Sequence, residues 1–245
     1  MPNIGRFAEG DKCPGVGCRL KKGLTVPHVA GCVLFGPKGN QNSYLHEVCR
    51  DNVVAMLKFA HVGVDPTDLT HHTGVTNRLK EVGAIPADSR PGMIKGADML
   101  ATNIMADPGQ LANFEMALDP TVTSKWGSAE NPLDVLEREE AKKKERYGDL
   151  YKAIDIDTYG LAMNAWGVLG PNLLKLIEKC DAYRGLGWAD HLPPWATWRC
   201  STFVRAWQTR FIVSMQIAVA SKINFAAASV ARVRSRVADG DDVGS

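Results

Sequence analysis

What the chain lacks narrows it first. No apolar stretch approaches the roughly 20 residues needed to span a bilayer. The longest near the C-terminus, Phe211 to Ala220, is broken by Gln216 and followed by Lys222. The opening residues, MPNIGRFAEGDKCPGVGC, hold no apolar region of the kind that drives secretion. These two absences predict an intracellular protein, nuclear or cytoplasmic, neither secreted nor held in a membrane. In a reducing compartment Cys13, Cys18, Cys32, Cys49, Cys180 and Cys200 are not expected to pair as disulfides. Metal binding or burial is left to explain them. There is no internal repeat and no low-complexity tract.

Charge of one sign is also missing overall. The 245 residues carry a net charge of +2, which names no partner. A composition of 45% hydrophobic and 23% charged residues is that of a globular domain and excludes disordered or collagen-like chains. Locally the balance breaks: no acidic residue lies between His191 and Ala238, where Arg199, Arg205, Arg210, Lys222, Arg232, Arg234 and Arg236 stand. So long a stretch of one sign attracts polyanions, although a solvated face beside a core helix has the same pattern.

Gly- and Pro-rich residues at the start of the chain show no sustained helical or strand period and need something other than an apolar core to order them. Tyr44 to His61 reads as a helix with Leu45, Val48, Val53, Met56, Leu57 and Ala60 on its apolar face. Residues around Asp65-Pro66 and Gly74 read as irregular, and Ala84 to Gly96 as a loop. Ala97–Ala101 and Leu111–Leu118 read as paired strands around the turn signal ADPGQ. A helix is expected from Leu133 to about Tyr151, a strand over Ala153–Thr158 stopped by Gly160, and helices over Pro171–Cys180 and Thr202–Val237.

Two groups of residues carry chemistry. Cys13-x4-Cys18-x9-His28-x3-Cys32 gathers three thiols and an imidazole, the donors that close a tetrahedral structural zinc site. Zinc would order a segment without a core. The bland alternative is reduced cysteines beside an incidental histidine; Cys49 and His46, on the next helix, are secondary ligand candidates. The second group centres on the helix from Leu133. Leu136, Glu140, Lys143, Tyr147 and Leu150 recur at spacings of four, three, four and three, so Lys143 shares the stripe that faces the core, while Lys142 and Lys144 turn toward solvent. An inward lysine needs a carboxylate. Asp98, Glu115 and, further along the second strand, Asp119 are available. Two carboxylates and a lysine are the parts of a metal-dependent phosphodiesterase, and equally those of a structural salt bridge.

Taken in order, these stretches resemble the C-terminal region of non-LTR retrotransposon polyproteins, where a zinc knuckle precedes a restriction-like endonuclease of the PD-(D/E)XK fold. CPGVGC…HVAGC resembles the knuckle and LHEVCRDNVVAML the opening nuclease helix, with His46 in its basic-His-polar motif. RPGMIKGADMLATN, NFEMALDPTV, EREEAKKKERY and AIDIDTYG resemble the two acidic strands, the lysine helix and the following strand. Ala117 stands where the simple motif has lysine, which passes that role to the helix. The resemblance implies an α+β fold: a zinc module over residues 1–43, a nuclease core over 44–180, and a helical, basic extension over 181–245 with a disordered tail.

It implies Cys13, Cys18, His28 and Cys32 as zinc ligands, and Asp98 and Glu115 as ligands of Mg2+ or Mn2+, with Lys143 completing the catalytic set. His46, Arg199, Arg205, Arg210, Arg232, Arg234 and Arg236 are the expected nucleic-acid contacts. The implied activity is nicking of target DNA to prime reverse transcription, on a piece of such an element that carries no reverse transcriptase, with DNA or also RNA as partner. A catalytically silent nucleic-acid-binding remnant and a zinc-stapled protein-interaction domain are the competing functions.

Overall fold

The computed structural model describes residues 7–8, 11–13, 18, 24–32, 44–92, 96–103, 115–123, 131–185 and 202–238. Within them the chain is mixed α+β, with a four-stranded sheet and six α-helices. Helix α1 (Val26–Gly31) is short, and the Thr25 hydroxyl accepts from the His28 N–H at its start. Helix α2 (Tyr44–Phe59) leads into strand β1 (Gly63–Asp65), a 3-10 turn and helix α3 (Thr73–Glu81). Strand β2 (Met99–Thr102), strand β3 (Glu115–Thr123), helix α4 (Pro132–Lys152), strand β4 (Ile156–Asn164), helix α5 (Pro171–Gly185) and helix α6 (Phe203–Ala238) follow.

The strands lie in the order β1-β2-β3-β4. The first three are antiparallel, and β4 returns parallel to β3 after the α4 crossover. Alternation along the strands feeds two cores, one on each face of the sheet. Met99, Ala101, Met116, Leu118, Leu161 and Met163 join α2, α5 and α6 on one face. Leu100, Ala117 and Ile156 meet Leu79 of α3 and Tyr147 and Tyr151 of α4 on the other.

Among the elements that differ from the sequence reading, three do so for a clear local reason. The region around Gly74 is the helix α3, whose only buried apolar side chains are Val75 and Leu79, too few to set a visible period. The His72 ring accepts from the Val75 N–H to cap it. Strand β3 runs through Pro120 to Thr123, past its last partner on β2, because β2 begins only at Met99, opposite Leu118. Proline there lies past the end of the neighbouring strand. Strand β4 likewise runs through Gly160 instead of stopping at it. A Cβ at Gly160 would come within 2.4 Å of the Glu140 carbonyl oxygen and 2.8 Å of the Lys143 Cβ, so glycine is what lets α4 sit down on β4.

Helix α4 starts where Asn131 accepts from the Leu133 N–H, with Pro132 at its first turn. It buries Leu136, Glu140 and Tyr147. The Glu140 carboxylate accepts from the backbone of Ala162 and Asn172, tying α4 to β4 and to the first turn of α5.

Helix α6 is continuous over 36 residues, within one residue at each end of the helix expected over Thr202–Val237. By length and composition it could cross a membrane. Its inward stripe is already used, however. Phe203, Trp207, Phe211 and Met215 are buried in the same core as α2, with Phe59 stacked on Phe203 at 6.2 Å between ring centroids. Each such aromatic contributes roughly 1.5–3 kcal/mol on burial. Further along, Ala226 and Val230 of α6 pack with Leu24, Val29 and Cys32 beside α1. One helix therefore touches both the sheet's core and the cysteine-bearing segment.

Candidate metal centres at the sheet end and beside α1

The β2–β3 register decides which acids meet. Met99 lies opposite Leu118 and Thr102 opposite Glu115, so Asp98, one residue before β2, falls near Asp119, and their carboxylate oxygens lie within 4.8 Å of each other. The Asp98 N–H bonds the Leu118 carbonyl at 3.1 Å, which keeps the residue before β2 against β3. Glu115 and Asp119 share a face of β3, but they are four residues apart, roughly 13 Å along an extended strand.

The structure brings together Asp98, Asp119, His46 and Lys143. His46, in the first turns of α2, places Nε2 2.8 Å from the Asp98 carboxylate. Lys143 Nζ reaches both Asp119 oxygens, at 3.0 and 3.1 Å, and the Tyr147 hydroxyl donates to the same carboxylate. Ligand atoms of His46, Asp98 and Asp119 all lie within 4.8 Å of one another. Lys142 instead pairs with Glu139 on the outer face of α4.

Glu115, expected beside Asp98, is elsewhere. Its carboxylate is held by Arg78 of α3, whose guanidinium also donates to the Ile154 carbonyl. The expected pair Asp98–Glu115 is thus replaced by Asp98–Asp119. Both candidates were visible in the sequence, but only the register selects between them. His46 is likewise turned onto Asp98 at this point, where an outward nucleic-acid contact was expected.

The electrostatics are those of a half-buried cluster of mixed sign. Burial raises the Asp119 carboxyl, Lys143 pulls it back, and the nearby Asp98 charge pushes it up again; the net shift is upward. For His46, burial acts downward, but the hydrogen bond and charge of Asp98 outweigh it and the imidazole stands above its ordinary value. Burial and the Asp119 carboxylate drive the Tyr147 phenol upward, so it remains a donor. Two carboxylates and one imidazole are donors a divalent ion such as Mn2+ accepts.

The second cluster lies where the cysteine spacing put it. Cys13 Sγ is 3.5 Å from Cys32 Sγ, and Cys18 Sγ is 3.5 Å from His28 Nε2. All four ligand atoms fall within 4.8 Å of one another, and no disulfide joins Cys13, Cys18 and Cys32. A tetrahedron with Zn–S bonds of about 2.3 Å has edges of roughly 3.8 Å, so the cluster could hold a structural zinc ion. Burial and the Lys222 charge keep the His28 imidazole below its ordinary value, in the neutral form a metal needs. Burial also pushes the Lys222 ammonium down, with Cys32 and Cys13 acting against it.

The expected nucleic-acid contacts divide. Arg210 is half-buried between α6 and α2, donating to Asn52 at 2.9 Å and lying over the Trp207 ring. That placement serves the helix interface. Arg234 grips Asp11 through two nitrogens. Arg205, Arg232 and Arg236 are exposed. Arg199 and Cys200 lie outside the described residues, as do residues 111–114 of the expected strand.

Searches against family models, curated proteins and solved structures return no match to the chain.

Proposed function

We propose that the chain is a metal-dependent DNA endonuclease domain derived from a retroelement, of the restriction-like PD-(D/E)XK kind, which nicks target DNA so that reverse transcription can be primed. The observation that carries this reading is the convergence of His46, Asp98, Asp119 and Lys143 from separate parts of the fold onto one end of the sheet. Mg2+ or Mn2+, held by Asp98 and Asp119 with His46, would polarise the scissile phosphate and lower the pKa of a bound water. The chain's own residues do the rest. Tyr147 donates to Asp119 and fixes its rotamer. Lys143 pairs with the same carboxylate and would donate to a phosphate oxygen or to the attacking water. The Cys13–Cys18–His28–Cys32 cluster holds zinc and orders the segment before α2.

A plasmid-nicking assay with the full chain in Mn2+ or Mg2+ tests the proposal. Nicking that is lost in Lys143→Ala while DNA binding persists supports it; nicking unchanged in that variant contradicts it. A second reading, a nucleic-acid-binding remnant without catalysis, draws on the mutual pairing of the acids with His46 and Lys143 and on the exposed Arg232 and Arg236. DNA binding with no nicking in either metal would select it. An intracellular place of action, nuclear or cytoplasmic, goes with this reading.

A further inference from the structure

Lys222 is a charged residue in an unusual place. It sits midway along α6 and is only 3% exposed. Its ammonium donates to the Cys32 carbonyl at 2.8 Å and to the Ala30 carbonyl at 3.2 Å, the stretch that carries the last ligand of the Cys/His cluster. Around it, Leu24, Val29, Cys32, Ala226 and Val230 form a small buried apolar cluster, with Cys13, Cys18 and Ile223 packed against it. Two carbonyl dipoles offset part of the cost of removing an ammonium from water, and a full negative charge nearby would offset far more.

The Cys/His cluster supplies that charge once metallated. Three thiolates contribute −3, Zn2+ contributes +2 and a neutral imidazole nothing, leaving −1 on the centre. We infer that Lys222 is the buried counter-ion of a zinc–tristhiolate centre, so that metal binding and the seating of the cysteine segment on α6 are one electrostatic event. The inference rests on the reading of the cluster as a zinc site and goes beyond it: a residue some 190 positions away in sequence tunes the metal's affinity. The apolar contacts of Ala226 and Val230 with Leu24 and Val29, and the Arg234–Asp11 pair, then belong to the same interface.

The alternative role for Lys222 is purely to donate to the two carbonyls. Variants of the full-length chain separate the two. Lys222→Gln keeps a donor and removes the charge; Lys222→Arg keeps the charge. Zinc affinity is measured by competition with a chromophoric chelator, and ligand geometry by the visible spectrum of the Co2+-substituted protein. Lys222→Gln should bind zinc at least about tenfold more weakly, within the range seen on removing outer-shell partners, and Lys222→Arg within about threefold of the parent.

The deciding arm places Lys222→Gln in a Cys18→His background, where the centre is neutral. There the loss should shrink to about threefold or less, because no charge remains to balance. Parent-like zinc affinity in Lys222→Gln, or an equal loss in both backgrounds, overturns the counter-ion role while leaving the zinc site standing. A parent chain that holds no zinc overturns the zinc reading itself.

Discussion

The two polar clusters are built in opposite ways. The Cys/His cluster takes its four ligands from Cys13 to Cys32, a short piece of chain whose few buried apolar residues, Leu24 and Val29 among them, pack on α6 and form no core of their own. The acid cluster takes His46 from α2, Asp98 from the start of β2, Asp119 from β3 and Lys143 from α4. In the first, four ligands of like character crowd together and the compensating charge, Lys222, comes from outside. In the second, acids and bases already compensate one another. The first should depend on its metal for its structure. The second should keep its shape without metal and depend on metal for whatever it does.

The largest expected effect follows from that contrast. Chelating zinc, or replacing Cys32 by Ala, should release the cysteine segment from α6, because structural zinc contributes on the order of 10–16 kcal/mol to small modules. Hydrogen exchange should quicken in α1 and along α6 from Lys222 to Arg234 while β2, β3 and α4 stay protected. Unchanged exchange in α6 would separate the cluster from the helix and break the comparison. Removal of divalent metal from the acid cluster should, by contrast, leave exchange in β3 and α4 as it was.

A smaller effect tests how α4 is seated. Gly160→Ala places a methyl against the Glu140 carbonyl and the Lys143 side chain, and should destabilise the fold by about 1–3 kcal/mol. Denaturant titration reads this directly; a shift of midpoint near zero would mean that α4 does not rest on β4 at that point. Because Lys143 borders the added methyl, the same variant should weaken any activity more than Lys142→Ala does.

These elements also mark how far the sequence could be read. The lysine helix was legible in detail: its stripe put Leu136, Tyr147 and Lys143 on one side and Lys142 on the other, since a helix's faces are set by spacing alone. The Cys/His cluster was legible because its ligands are near neighbours. The acid pair was not, because pairing across strands depends on register. Nothing in NFEMALDPTV says whether Glu115 or Asp119 lies opposite Asp98, and Pro120 and Gly160 both look like places where strands end. Their reasons lie in the neighbours: β2 stops short of Pro120, and α4 presses on Gly160.

Charge titration gives a finer test of the acid cluster in the metal-free chain. His46 is raised by Asp98 above its ordinary value of about 6.5. The protonated pair therefore stabilises the fold fully below about pH 6.5, and that contribution is lost as pH rises through the raised value. Thermal unfolding of the parent should show this decline, and His46→Gln, which can still donate to Asp98 but does not titrate there, should not. Identical pH profiles would remove the ion pair from the account. The smallest effect is expected at the far end of α6. Replacing Arg232 and Arg236 by Gln should lower DNA affinity and reduce its salt slope by about one unit for each phosphate no longer neutralised. Arg234→Gln, at a residue already engaged by Asp11, should change DNA affinity less.

The central claim is that Asp119, not Glu115, completes a divalent-metal site with Asp98 and His46. Mn2+ binding to the full-length chain, followed by electron paramagnetic resonance, tests it most directly. One Mn2+ should bind per chain at the acid cluster, weakened by at least about a hundredfold in Asp119→Asn and nearly unchanged in Glu115→Gln. Binding that survives Asp119→Asn but disappears in Glu115→Gln would contradict it.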